Sequence, residues 1–257
     1  GAGAWDEARD EAPRRAPGDV VFLQYTSGST GAPKGVVVKR SNLAHNLATI
    51  GRALRMGSSA AVLSWLPHSH DLGLIGSYLG SLYCGGAGTF ISPTAFLGDP
   101  CLWPELMSRC GATHTGSPAF AFALATRKFR AKRARLAATG LPAPALDLAA
   151  VRHMSIGAEP IEPAAIDAFV ACFAPHGLRA ACIVPGFGLA EHTVFVCDGG
   201  RARLVADRTA LERDGLVVPR PDAAAGAAGT LHLQGCGDPA RYPAARVDVR
   251  IVDPETC

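Results

Sequence analysis

An α/β fold is predicted for this 257-residue chain by two features of its pattern. From Val20 onward, short β-branched runs alternate with amphipathic stretches, the arrangement that packs helices against a sheet. Hydrophobic residues make up 48% of the chain and charged residues 18%, which gives enough apolar surface for a sizeable core in one or two domains. No internal repeat is visible.

The elements follow in order. Residues 1–19 mix Ala, Gly, Pro and charges without an apolar stretch, so a loose tail is expected rather than a signal peptide. Val20–Leu23 and Val36–Val38 predict strands. Ser41 or Asn42 could cap a helix whose apolar residues Leu43, Leu47, Ile50 and Leu54 recur at helical spacing. Ala61–Leu66 predicts a strand ended by Pro67. The span Leu72–Gly98 carries no charge and contains Gly76 and Gly80 in a G-x-x-x-G. Because Gly85-Gly86 divides it into pieces too short to cross a bilayer, a buried helix followed by a buried strand is expected. A helix near Trp103–Arg109, an extended piece at Thr113–Thr115 and a helix opened by Pro118 come next. Within that last helix, residues 127–135 hold six positive charges, which predicts a solvated face and, as a second use, an acidic protein partner.

Residues 139–150 read as a connector and Val151–Ile156 as a strand. Pro163 opens a helix with Ile166, Phe169, Val170 and Phe173 on one stripe, closed near Gly177. Ala180–Val184 and Val194–Cys197 predict strands, residues 199–229 a polar surface excursion or insertion, and Thr230–Leu233 and Val247–Val252 further strands.

A net charge of +3 is too small to imply nucleic acid or a membrane surface. The eight cysteines are scattered, with no C-x-x-C, which indicates a reducing, cytoplasmic setting rather than a disulfide framework or zinc site.

Tyr25–Gly35 reads YTSGSTGAPKG. Glycines let backbone N–H groups form an anion-binding nest, and the hydroxyls of Thr26, Ser27, Ser29 and Thr30 with the Lys34 ammonium add what a polyphosphate needs. The Walker pattern does not fit, because Pro33 stands for its second Gly and Gly35 for its metal-binding hydroxyl. A flexible linker is the bland alternative, disfavoured by the two flanking strands. Ser64–Asp71 places His68, His70 and Asp71 after a strand without the spacing of a metal site. Gly186-Phe-Gly-Leu-Ala-Glu191 is a weak dinucleotide fingerprint, since Glu191 occupies the third small position. Glu159, in Gly157-Ala-Glu-Pro160, suits either a binding pocket or a carboxylate on the approach to the helix that follows, favoured by that helix's dipole.

These phrases, in this order over residues 20–198, resemble the adenylate-forming superfamily. Thr26–Gly35 matches [ST]-S-G-[ST]-T-G-x-P-K-G over ten positions, and SWLPHSHDLGLIG with SPTAFLGDP is similar to the fatty acyl-AMP ligase branch. Leu72, Phe187 and Ile156 stand where relatives carry Met, Tyr and Asn. The resemblance implies part of that family's large N-terminal subdomain, layered sheets with flanking helices, over residues 20–257. It implies ATP and Mg²⁺ as cofactors, and formation of acyl-adenylate and pyrophosphate from a fatty acid. The acyl group would then pass to an acyl carrier protein or polyketide synthase carrier domain.

Carried over by motif, Thr26, Ser27, Gly28, Ser29, Thr30, Gly31 and Lys34 would cradle phosphates, and His70 would lie beside the acyl carboxylate. Gly157, Ala158 and Glu159 would line the adenine pocket, Phe187 and Gly188 would pack near it, and Glu191 would hold Mg²⁺. The family's ribose-binding motif and small C-terminal subdomain are expected outside these residues, so a partial AMP-binding domain is read. A non-catalytic nucleotide- or acyl-binding module and a CoA-dependent acyl ligase remain open as alternatives.

Overall fold

The computed structural model describes residues 16–26, 33–223, 226–242 and 247–253. The expected N-terminal tail therefore lies almost wholly outside the described residues, as do residues 27–32 of the glycine-rich loop.

Strands β1 (Val20–Thr26) and β2 (Lys34–Lys39) form an antiparallel hairpin in which Thr26 faces Lys34. Its inner face buries Gln24 and Val38, and Val21, Leu23 and Tyr25 remain exposed. The chain passes straight into helix α1 (Arg40–Ala53), whose N-cap is Lys39 rather than Ser41 or Asn42. Asn42 still contributes, because its Oδ1 accepts the Lys39 N–H at 3.1 Å from the third helical position. Leu47 and Ile50 are buried as the spacing predicted.

Strand β3 (Ala61–Ser64) leads to a π-helical segment, Leu72–Leu79, continued by the short α2 (Gly80–Tyr83) and then β4 (Ala87–Phe90). The expected buried strand is corrected here. β4 is the edge of its sheet and three of its four residues are exposed, since lack of charge sets hydropathy but an edge position leaves one side uncovered.

Next come α3 (Pro93–Gly98), α4 (Leu102–Arg109), β5 (His114–Pro118), α5 (Ala119–Ala138), β6 (His153–Gly157) and α6 (Pro163–Phe173). Gly177, at φ 87°, takes the left-handed conformation that stops the short turn after α6. On α5 the basic run is solvated as expected, with Phe129 alone fully buried within it and Lys132 paired to Glu105 at 2.6 Å.

Strands β7 (Ile183–Gly188) and β8 (Phe195–Asp198) complete a six-stranded sheet of order β4-β3-β5-β6-β7-β8. It is parallel through β7 and antiparallel at β8. The polar stretch after residue 199 contains β9 (Arg203–Asp207) and α7 (Arg208–Asp214), and β9 pairs antiparallel with β10 (Thr230–Gln234). Residues 247–252 form no strand, because β-branched alternation supplies propensity but no described residue supplies a ladder partner. Among the described residues no helix is long and apolar enough to cross a membrane.

Two apolar clusters flank the sheet. The larger joins α3 to α6 through Phe96, Trp103, Phe122, Phe129, Phe169 and Phe173, all fully buried, each contributing roughly 1.5–3 kcal/mol. The smaller joins α1 and the π-helical segment through Leu47, Ile50, Ile75 and Val194. Alternation along β3 divides them: Leu63 enters the large core, and Val62 lines a cavity beneath the small one.

Candidate functional site

The chain leaves β3 for β4 on one side and returns to β5 on the other, so the sheet has a topological switch point beside β3. Open parallel sheets bind ligands at such points, beyond the carboxyl ends of the strands. A cavity of about 750 Å³ opens there. It is lined by Thr26 at the end of β1, His70 after β3, Gly157 and Ala158 at the end of β6, and Phe187, Gly188 and Glu191 after β7. Seven residues singled out from four separate stretches thus meet on one surface.

Not all of the expected residues join it. Ser27, Gly28, Ser29, Thr30 and Gly31 lie outside the described residues. Lys34 is exposed across the hairpin from Thr26 and is not on the cavity wall. The Glu159 side chain turns elsewhere, accepting the Phe120 N–H at 2.6 Å in the first turn of α5, so the helix dipole it meets is that of α5 and not that of the helix it leads into.

His70 is positioned by its own segment. Gln24 Nε2 donates to the Ser69 carbonyl at 2.8 Å and ties that segment to the hairpin. His70 Nδ1 lies 2.7 Å from Asp71 Oδ1, which also accepts the Leu72 N–H at 2.6 Å. The Asp71 hydrogen bond, opposed by desolvation and assisted by the carboxylate's charge, raises the His70 pKa above 6.5. Stabilisation from this pair is therefore full below 6.5 and fades as pH climbs through the raised folded value. Asp71→Asn is expected to move the His70 midpoint down toward 6.5 in an NMR titration. An unmoved midpoint would show that Asp71 is not the cause.

Close backbone approach shapes the β6 and β7 ends. A Cβ on Gly157 would lie 2.7 Å from the Gly186 carbonyl oxygen, and one on Gly188 only 1.8 Å from that of Val194. Ala158, at φ 63°, holds a left-handed conformation that costs a non-glycine residue about 1 kcal/mol or more.

Glu191 sits in a short turn, Ala190–His192, followed by Thr193 at φ 73° and ψ −60°. The Val194 N–H reaches the His192 carbonyl at 2.9 Å, closing a γ-turn. A β-branched residue in that conformation persists only when its surroundings hold it. Asn46 of α1 does so. Its Oδ1 accepts the Phe195 N–H at 3.0 Å, and its amide donates to the carbonyls of Phe195 at 2.9 Å and His192 at 3.2 Å. Sequence reading missed Asn46; the only signal was a polar residue on the buried stripe of α1, where it is 2% exposed.

A buried polar group on the same side of the sheet was also missed. His114 reaches the Leu54 carbonyl through Nε2 at 2.9 Å and Thr113 Oγ1 through Nδ1 at 2.7 Å, and burial lowers its pKa. His153 stacks beside it, and burial takes its pKa down to about 3. Asp198 accepts the Tyr242 hydroxyl proton on Oδ1, and burial raises the Asp198 pKa. Among the described residues no group of three or more His, Cys, Asp or Glu could hold a metal; Glu191 shares the cavity lining with two other carboxylates, Asp71, which is engaged by His70, and Asp198, which is engaged by Tyr242.

The sequence matches the model of the AMP-binding enzyme family over residues 2–257. It is 37% identical over 246 residues to a medium-chain-fatty-acid–[acyl-carrier-protein] ligase, TtuA, of Teredinibacter turnerae, covering 94% of this chain and 36% of that protein. It is 38% identical to the long-chain-fatty-acid–AMP ligase FadD32 of Mycobacterium marinum, covering 68% of this chain and 27% of that protein. The chain thus spans about a third of the length of the curated relatives it matches. A fatty acyl-adenylate ligase from Legionella pneumophila, solved with acyl adenylate and pyrophosphate, superposes with a TM-score of 0.78 at 32% identity, covering 93% of this chain and 40% of that one.

Proposed function

This chain belongs to the AMP-binding enzyme family, and from that premise we propose that the whole protein activates a fatty acid with ATP. The products are the acyl-adenylate and pyrophosphate, and the acyl group then passes to an acyl carrier protein. The observation that carries this reading is the convergence of Thr26, His70, Phe187 and Glu191 on one cavity at the switch point. The relatives named above supply the substrate class and the carrier.

In the first half-reaction a carboxylate oxygen of the fatty acid attacks the α-phosphorus and pyrophosphate departs. In the second, the carrier's thiolate attacks the acyl carbonyl and AMP departs. For such chemistry a protein mainly positions groups and neutralises charge. We assign the phosphate cradle to Thr26, Ser27, Gly28, Ser29, Thr30 and Gly31, with Lys34 adding positive charge. His70, its Nδ1 engaged by Asp71, presents Nε2 for a carboxylate. Backbone of Gly157 to Glu159, with Phe187 and Gly188, forms the adenine face.

Mg²⁺, bound with ATP, supplies neutralising charge on the phosphates. One carboxylate is a fitting protein ligand, since Mg²⁺ commonly takes one or two carboxylates and completes its shell with phosphate oxygens and water; Glu191 would provide it. We read residues 20–257 as part of the AMP-binding domain, with 199–229 as an insertion. We place the protein in the cytoplasm, in keeping with the seven free thiols among the described residues.

The test is to incubate the full-length protein with MgATP, a long-chain fatty acid and hydroxylamine. Acyl hydroxamate and pyrophosphate are expected. ATP binding without hydroxamate would overturn the ligase reading in favour of a binding module. Offering CoA and a carrier protein side by side identifies the acceptor.

A further inference from the structure

The cavity extends well below the strand ends. Val62 and His114, paired in register near the starts of β3 and β5, both line it, so it runs along the sheet for about four residues, or roughly 13 Å at strand rise. Ile50, Leu54, Met56 and Val62 give it the apolar wall that a hydrocarbon chain needs.

Two polar groups interrupt that wall without a full set of partners. Ser155 lies in β6, flanked on both sides by β5 and β7, yet it is half-buried rather than buried, and the cavity is the space it faces. Its hydroxyl has no hydrogen-bond partner among the described residues. Beside it in register is Gly116, which presents no side chain. Asp198 also lines the cavity, with its side chain only 5% exposed. Tyr242 satisfies Oδ1, but among the described residues Oδ2 has no hydrogen-bond partner, and neither has His153 Nε2, 3.6 Å away.

A hydrocarbon chain would leave these oxygens unpaired at about 1–3 kcal/mol each, so their presence in the wall calls for a ligand that pairs them. The charge of the missing group follows from its surroundings. The Arg241 guanidinium already acts electrostatically on Asp198, His153 and Tyr242, which disfavours a second cation and leaves a neutral donor.

We propose that this compartment selects a fatty acid bearing a hydroxyl on its chain, with Ser155 Oγ and Asp198 Oδ2 as the protein oxygens that such a hydroxyl meets. This rests on the fatty-acid reading above and adds the substituent to it. A plain chain is bound by the apolar wall alone, and a hydroxylated chain of the same length is bound by the wall and the polar pair.

The test uses the full-length protein and dodecanoic acid alongside dodecanoic acids carrying one hydroxyl, its position walked along the chain. Pyrophosphate release gives kcat/KM for each acid. At one hydroxyl position the ratio of hydroxylated to plain acid should reach roughly tenfold, the worth of one net hydrogen bond in a closed site. Ser155→Ala and Asp198→Ala should each bring that ratio back toward one. Should Asp198→Ala fail to fold because Tyr242 loses its acceptor, Ser155→Ala decides alone.

The inference is overturned if every hydroxylated acid is used no better than the plain one. It is also overturned if the preference survives substitution of Ser155 and Asp198, or if an amino-substituted acid is preferred. In those cases turnover of plain dodecanoic acid leaves the ligase reading standing. Failure of every acid to be activated removes both.

Discussion

Glu191→Ala in the full-length protein should lower acyl-adenylate formation by roughly 100-fold or more, the scale of losing one preorganised group that acts on charge in phosphoryl transfer. Glu191 faces the cavity on a turn closed by a strained Thr193 and clamped by Asn46, an arrangement that fixes one carboxylate in place. The other carboxylates that line the cavity, Asp71 and Asp198, are tied to His70 and Tyr242. If the loss concerns Mg²⁺, Glu191→Ala should also raise the Mg²⁺ concentration needed for half-maximal rate. A variant with normal rate and normal Mg²⁺ dependence would remove Glu191 from the site. Global unfolding is separable, because Glu191 is exposed and its side chain supports no described contact of the core.

Gly188→Ala should have the largest effect on stability. Its added methyl would sit 1.8 Å from the Val194 carbonyl oxygen, a backbone atom that moves only if β7 and β8 part. The ladder is already irregular there, with a register shift between Phe187 and Gly188. Overpacking against backbone costs about 3 kcal/mol, and for a chain of this size that lowers the melting temperature by about 6–12 °C. Because Phe187 and Glu191 flank the position, ATP binding should weaken with it. A calorimetric scan showing a melting temperature within a degree of the parent would contradict the close approach.

Much of the fold was legible because it is local. The stripe Leu43, Leu47, Ile50 predicted α1, and Pro163 and Gly177 bracketed α6 and its closing turn, since caps and periodicity act within a few residues. Uncharged Leu72–Gly98 misled at β4, and β-branched Val247–Val252 misled at the end, for one reason. Hydropathy and propensity describe a segment, whereas burial and pairing depend on what lies beside it. Thr26, His70, Phe187 and Glu191 could be named because each sits in a contiguous phrase.

The chain's own order of residues determined its α/β class, its family and the phrases that reach the cavity, because each of these is written in runs of about ten residues or fewer. Tertiary structure alone decided the rest. Asn46 meets His192 and Phe195 across nearly 150 positions, and His153 meets Asp198 across β7. Glu159, ambiguous in sequence, settles on the N-terminus of α5 because β5 and β6 are neighbours. Such partners are fixed by strand order and register, which emerge only when distant segments share one sheet.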